Sequence, residues 1–238
     1  MQIIIFELEG KFAHFRKFFT NSSSLSYAVP PRTVVQGIVA AVLGMERNSY
    51  YEILSKSNAN IAIEKISKTR KINQVMNYVM AKNVSEIVRH EKHTQVPIEI
   101  IAGFEDNVRY RIYFNHIDEE LNLTLLNLLR ENKSVYPLYF GAAPFFCKTR
   151  FIDSVFSKEE LSDNFISVNS IIRRDLINDV KIDLKINNFH KEKMPVDFDK
   201  NRFLIEAASY VYDDSLYPIE IKTDSFFYKI GDKNIIFT

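Results

Sequence analysis

The chain opens on Ile3, Ile4, Ile5, Phe6 and Leu8, an apolar β-branched run that alternates with Glu7 and Glu9 and stops at Gly10. That pattern predicts a first strand over residues 2–9. From Thr33 the period changes: Val34, Val35, Ile38, Val39, Val42 and Leu43 share one helical face, with Thr33 as N-cap, Gly37 as a close-approach position and Gly44 at the end. Residues 50–54 add a further turn or two, and Ile61, Ile63 and Ile66 mark a second strand. Alternation over 94–102 and 109–116 gives two strands about a turn at 103–107. Leu121, Leu125, Leu128 and Leu129 define a helix over about 119–131, and 145–156 follows as a strand.

Strand, helix, strand, extended hairpin, helix, strand is the split βαβ order of a ferredoxin-like (RNA-recognition-like) domain. We therefore expect an α+β protein: such a domain over residues 1–155, with an arm inserted at about 65–93, then a small β-rich domain over 156–238. In the second part short strands are predicted at 165–172, 202–212, 219–222, 226–230 and 234–237, with helix-forming residues at 204–208 competing for one of them.

Between these elements the polar pattern is unusual. No acidic residue lies between Glu9 and Glu46, although the chain holds 30 Asp and Glu. The same stretch carries Lys11, His14, Arg16, Lys17 and Arg32 among Phe12, Phe15, Phe18, Phe19 and Tyr27. Much of it, 11–31, has no sustained period and reads as a long loop, and loops of that length in compact domains are usually functional or disordered. Cations beside aromatics, without carboxylates to neutralise them, suit a polyanion with stackable bases. A second acid-free window, 65–85, contains Lys65, Lys68, Arg70, Lys71 and Lys82.

The net charge of +1 excludes a uniformly basic nucleic-acid binder, but residues 1–152 hold 19 Lys and Arg against 14 Asp and Glu, and 153–238 hold 12 against 16. An anion contact is therefore expected in the first part. One cysteine, Cys147, excludes an internal disulfide and a Cys-rich zinc site. No signal-peptide pattern and no apolar run of about 20 residues occur, so a soluble, cytoplasmic protein is expected.

The run Phe12-Ala13-His14-Phe15-Arg16-Lys17-Phe18-Phe19-Thr20-Asn21-Ser22-Ser23, leading into Tyr27-Ala28-Val29-Pro30-Pro31-Arg32-Thr33 and Gly37-Ile38-Val39-Ala40-Ala41-Val42-Leu43-Gly44, resembles the start of the CRISPR-associated Cas-five family, most of all its type I-B branch. Tyr110-Arg111-Ile112-Tyr113 and Pro137-Leu138-Tyr139-Phe140-Gly141 are similar to later landmarks of that family. The likeness spans roughly residues 1–150. It implies a non-catalytic subunit of a type I Cascade effector that caps the 5′ handle of the crRNA. It also implies contacts with the backbone and large subunits, and with target DNA through the complex. In one branch the family member itself cuts precursor RNA; this chain looks like the group that does not.

On that reading His14, Arg16, Lys17 and Arg32 supply cations, while Phe15, Phe18 and Tyr27 supply platforms for bases. Arg32, at the mouth of the first helix, would stand beside free N–H groups as an anion site. The arm suits the family's thumb, with Arg70 and Lys71 as RNA contacts. The alternatives are that the Phe residues are core with only the cations outside, and that the arm is a solvated loop. Lys92 and His93 resemble the Lys-His pair of the RNA-cutting branch, with His90, Tyr78 and Tyr110 as further candidates for metal-independent cleavage. RNA or partner contact is the preferred role for the pair. His90 and His93 with Glu86 and Glu91 have spacing that could hold a metal, but the segment reads as a strand approach and no metal site is assigned. Six glycines include no phosphate-binding loop, and no cofactor is expected. Ala142, Ala143 and Pro144 replace what could have been a glycine-rich loop after Gly141. An α+β protein-interaction module without RNA remains the third reading.

Overall fold

The computed structural model describes residues 1–21, 23–81, 83–89, 92–183 and 185–238. Its elements in chain order are β1 (Gln2–Gly10), α1 (Arg32–Leu43), β2 (Ala59–Lys65), β3 (Thr69–Val79), α2 (Val84–Arg89), β4 (His93–Gly103), β5 (Val108–His116), α3 (Glu119–Arg130), β6 (Lys148–Phe156), β7 (Phe189–Phe198) and β8 (Leu204–Asp213), joined by shorter strands. β1, β2, β5 and β6 make one antiparallel sheet in the order β2-β5-β1-β6. α1 and α3 pack on one face of it, against Ile4, Phe6 and Leu8 from β1 and Ile112 and Phe114 from β5. The alternation that marked β1 as a strand thus also decides which side chains meet the helices.

α1 buries Val35, Ile38, Val39 and Val42, as its period requires, and ends at Gly44 with φ 76°. A Cβ there would sit 2.9 Å from Val135, so both the left-handed turn and the close packing need glycine. The helix starts two residues earlier than expected, at Arg32, with Pro31 rather than Thr33 at the N-cap and no side-chain cap. Proline has no N–H to satisfy and suits that position, and Arg32 is drawn inward by carbonyl partners. α3 is capped by Asp118, which accepts from the N–H groups of Glu120 (2.9 Å) and Leu121 (3.3 Å).

Strands β4 and β5 lie where alternation placed them, but the hairpin is a different one. β4 pairs along its whole length with β3, from Thr69↔Gly103 to Val79↔His93, while β5 joins the main sheet. Gly103 turns the chain from one to the other; a Cβ there would meet the Asp106 carbonyl at 1.5 Å. The inserted segment is therefore a two-stranded arm of ten register steps, about 33 Å long, with α2 beyond its end. Phe12–Ala13 adds a short third strand at its root.

Beyond residue 156 the chain is nearly all strand. β7 and β8 pair with a bulge at Pro195, and residues 204–208 are strand, since Leu204 and Ala207 sit in that ladder. The segment expected over 165–172 is split into Ile166–Val168 and Ile172–Arg173, which join different sheets. The main core does not stop at 155: Ile171, Met194, Val196, Tyr210 and Tyr212 pack in the same cluster as Phe6, Phe15 and Tyr27. The other face of the main sheet is also filled, by Tyr228 and Ile235 over Ile3, Ile5 and Tyr113. Beside them Glu7 is buried between Arg111 (2.7 Å) and Arg150, and Tyr113 donates its hydroxyl to Glu64 at 2.7 Å.

Candidate nucleic-acid interface

A cleft of about 770 Å³ opens between the arm, the first loop, the start of α1 and the end of β7. Its wall includes Arg16, Phe18, Met76, Tyr78, Phe145 and Arg202, with Thr33 and Val34 from the first turn of α1. Among the described residues no Asp or Glu lines it. α1 has no acidic residue in its first turn and no side-chain cap, and Thr33 and Val34 place the positive end of its dipole at the cleft.

Arg16 is exposed and donates to the Thr20 carbonyl, 3.1 Å away. Phe18 lies at the cleft and stacks edge-to-face with Phe19 at 5.3 Å between centroids, both rings being exposed. His14 is buried in the wall. One ring nitrogen, Nδ1, faces the Glu99 carbonyl at 2.7 Å and Nε2 faces the Ser24 hydroxyl at 2.9 Å. Burial lowers its pKa from the ordinary value of 6.5, and the Arg16 charge acts in the same direction. A neutral imidazole that fastens the loop to β4 results. Gly141 backs it, φ 85°, with space for a Cβ closed by the His14 carbonyl at 2.1 Å; Ala142 and Pro144 complete that wall.

Three residues assigned to RNA contact are instead interior. Phe15 is buried, packed edge-to-face against Tyr110 (5.9 Å) and Phe140 (5.7 Å), where no base can reach it. Tyr27 is fully buried and donates its hydroxyl to the Lys193 carbonyl at 2.7 Å; burial and the nearby Glu192 push its pKa up. Arg32 is 2 % exposed and donates to the carbonyls of Ala59 (2.7 Å), Leu54 (3.2 Å) and Thr238 (3.2 Å), with Asp197 at 3.7 Å. It ties α1 to the strands around it and cannot meet an external phosphate. Lys17 is half-buried and its charge is engaged by Glu192 at 2.6 Å, with the Tyr27 ring 5.3 Å away.

The arm candidates separate by strand alternation. Arg70 shares the face of β3 that carries Met76 and Tyr78, the cleft face; Lys71 lies on the opposite face and pairs with Glu99 at 3.2 Å. Lys92 and His93 are exposed at the far end of the arm, where His93 pairs with Val79. Tyr110 is buried beneath the other end and donates to the Ala28 carbonyl at 2.6 Å, so it cannot join them. His90, Glu91, Lys82 and Ser22 lie outside the described residues; among the described ones no three His, Cys, Asp or Glu gather as metal ligands. Arg202 was not singled out from the sequence, where it reads as the start of a strand. It sits in the turn 199–203 with φ 64° and donates to Asn48 at 3.1 Å. The polar run Asp199-Lys200-Asn201 before it was the available signal. Among the described residues no helix is long and apolar enough to cross a membrane.

The family described as CRISPR-associated protein (Cas_Cas5) matches residues 3–118. No curated protein matches the chain. Among solved structures, a CRISPR protein from Archaeoglobus fulgidus superposes with a TM-score of 0.60 at 14% identity, covering 100% of this chain and 99% of the other. A chain of a CRISPR RNA-guided surveillance complex gives 0.53 at 12% identity over 92% and 91%. A chain of the Type III-B Cmr-beta complex bound to cognate target RNA and AMPPnP gives 0.51 at 11% identity over 92% and 86%. At these identities the likeness is one of fold.

Proposed function

We propose that this chain, whose residues 3–118 carry the Cas_Cas5 pattern, is a non-catalytic, cytoplasmic subunit of a type I CRISPR effector complex, of the I-B kind, that caps the 5′ handle of the crRNA. On this reading β1, α1, β2, β5, α3 and β6 form a ferredoxin-like domain and the arm is its thumb, facing the nearest backbone subunit. The large subunit and the target DNA are further partners within the complex. The observation that carries the proposal is a cleft with no carboxylate among its described lining residues, in a chain with 30 Asp and Glu. Arg16, Arg202 and Arg70 supply charge for phosphates, Phe18 and Tyr78 supply ring faces, and the α1 N-terminus adds oriented N–H groups. RNA-recognition-like domains commonly stack bases on the open sheet face; here that face is filled, which favours the cleft.

A nuclease reading draws little support. Cleavage without metal needs a base at the 2′-hydroxyl and an acid or cation at the leaving oxygen. Lys92 and His93 stand about 33 Å along the arm from its root, and Tyr110 is interior. Incubating the purified protein with repeat RNA in EDTA should give no site-specific cut. A cut abolished by Lys92→Ala/His93→Ala would reverse the assignment. The proposal itself is tested by sequencing RNA recovered with the tagged protein from its own host. Small RNAs sharing one short repeat-derived 5′ end are expected; random fragments or no RNA would refute it.

A further inference from the structure

The end of the main sheet that carries Gln2 and His116 lies opposite the end from which the arm springs, a strand length of about 30 Å away. There a groove of about 730 Å³ lies between the start of β1, the first turn of α3 and the end of β6. Phe156 is 83% exposed, Ile117 67% and Leu123 57%, with Met1 beside them. Glu119 and Glu120, both exposed, form its rim, and neither is ion-paired among the described residues. Large apolar side chains in one exposed groove mark interaction surfaces. Asp118 caps α3 by accepting the N–H groups of Glu120 and Leu121, so neither glutamate is engaged as the cap, although both also suit the positive end of the helix dipole.

We infer that this groove docks a segment of another protein that carries an apolar side chain next to Lys or Arg. The apolar walls take the side chain, and Glu119 and Glu120 take the cation. RNA is disfavoured by like charge at the rim. A second copy is disfavoured as well, since a two-fold contact through one patch would set the glutamates of both copies together. The occupant leaves the arm and the cleft free, so the inference stands independently of RNA binding.

The test uses the full chain in its purified complex, with a photo-reactive benzophenone side chain in place of Leu123 and, as control, in place of the exposed Leu161. The expected product is a cross-link from position 123 to a protein peptide with Lys or Arg beside an apolar residue. Its yield should exceed the control about tenfold and fall about tenfold in Glu119→Gln/Glu120→Gln. Equal yields at both positions would overturn the inference, as would insensitivity to the neutralised pair or capture of RNA, a second copy or an acidic segment. Should the Leu123 variant fail to assemble, the same probe at Phe156, the most exposed wall residue, gives the same reading.

Discussion

The first loop and the arm carry one sequence signature, cations and aromatics without carboxylates, yet they use it oppositely. In the loop Phe15, Tyr27 and Arg32 turn inward and hold β1, α1 and β7 together. In the arm Arg70, Met76 and Tyr78 stay outside on a hairpin with little beneath it. Arg16 and Phe18, at the outer turn of the loop, face the arm across the cleft with exposed side chains. An acid-free window therefore reports two needs at once: a surface that attracts anions, and a buried guanidinium that requires carbonyls rather than a crowd of carboxylates.

The sharpest way to break this contrast is to remove its interior members. Phe15→Ala should cost about 4 kcal/mol of stability through the cavity it leaves, and Arg32→Ala about 3 kcal/mol through three unpaired carbonyls and Asp197. Urea unfolding measures both, and RNA affinity per folded molecule should not change. If Arg32→Ala folds with wild-type stability and loses RNA, the loop is surface and the contrast fails. Tyr27→Phe, which leaves the Lys193 carbonyl without its donor, should cost about 1 kcal/mol.

The outer members should behave in reverse. Arg70→Ala should lower the salt dependence of RNA affinity by about one unit with no loss of stability. Lys71→Ala, on the other face and paired with Glu99, should leave it unchanged. Equal effects from the two would mean that RNA wraps both faces of the arm.

A smaller effect concerns His14. Its pKa is lowered in the folded protein, chiefly by burial, while the unfolded chain titrates near 6.5. The unfolded state then binds more protons as pH falls below 6.5, so this residue removes stability on acidification through that window. His14→Gln should flatten that part of the stability profile. An unchanged profile would show that the imidazole is solvated.

Sequence revealed elements whose period matched burial on one side, such as β1, α1 and α3, each packed on the common core. The pairing of β4 was not legible, because alternation specifies a strand and its face but not its neighbour. β7 escaped because His190, Lys191, Glu192 and Lys193 look like loop and Pro195 argues against a strand, although it sits at a bulge where proline is tolerated. Arg16 and Phe18 were singled out from the sequence as RNA contacts, and both line the cleft. The burial of Arg32 was not legible, since a cation after Pro30-Pro31 reads as exposed until Leu54 and Ala59, more than twenty residues on, are brought to it.

The most direct test of the cleft as the RNA site is the salt dependence of single-stranded repeat RNA affinity for the wild type and for Arg16→Ala/Arg202→Ala. Loss of two phosphate contacts to a single strand should reduce the log–log slope by about 1.4 units and weaken binding at low salt, with unchanged unfolding. An unchanged slope and affinity in a folded double variant would contradict the account.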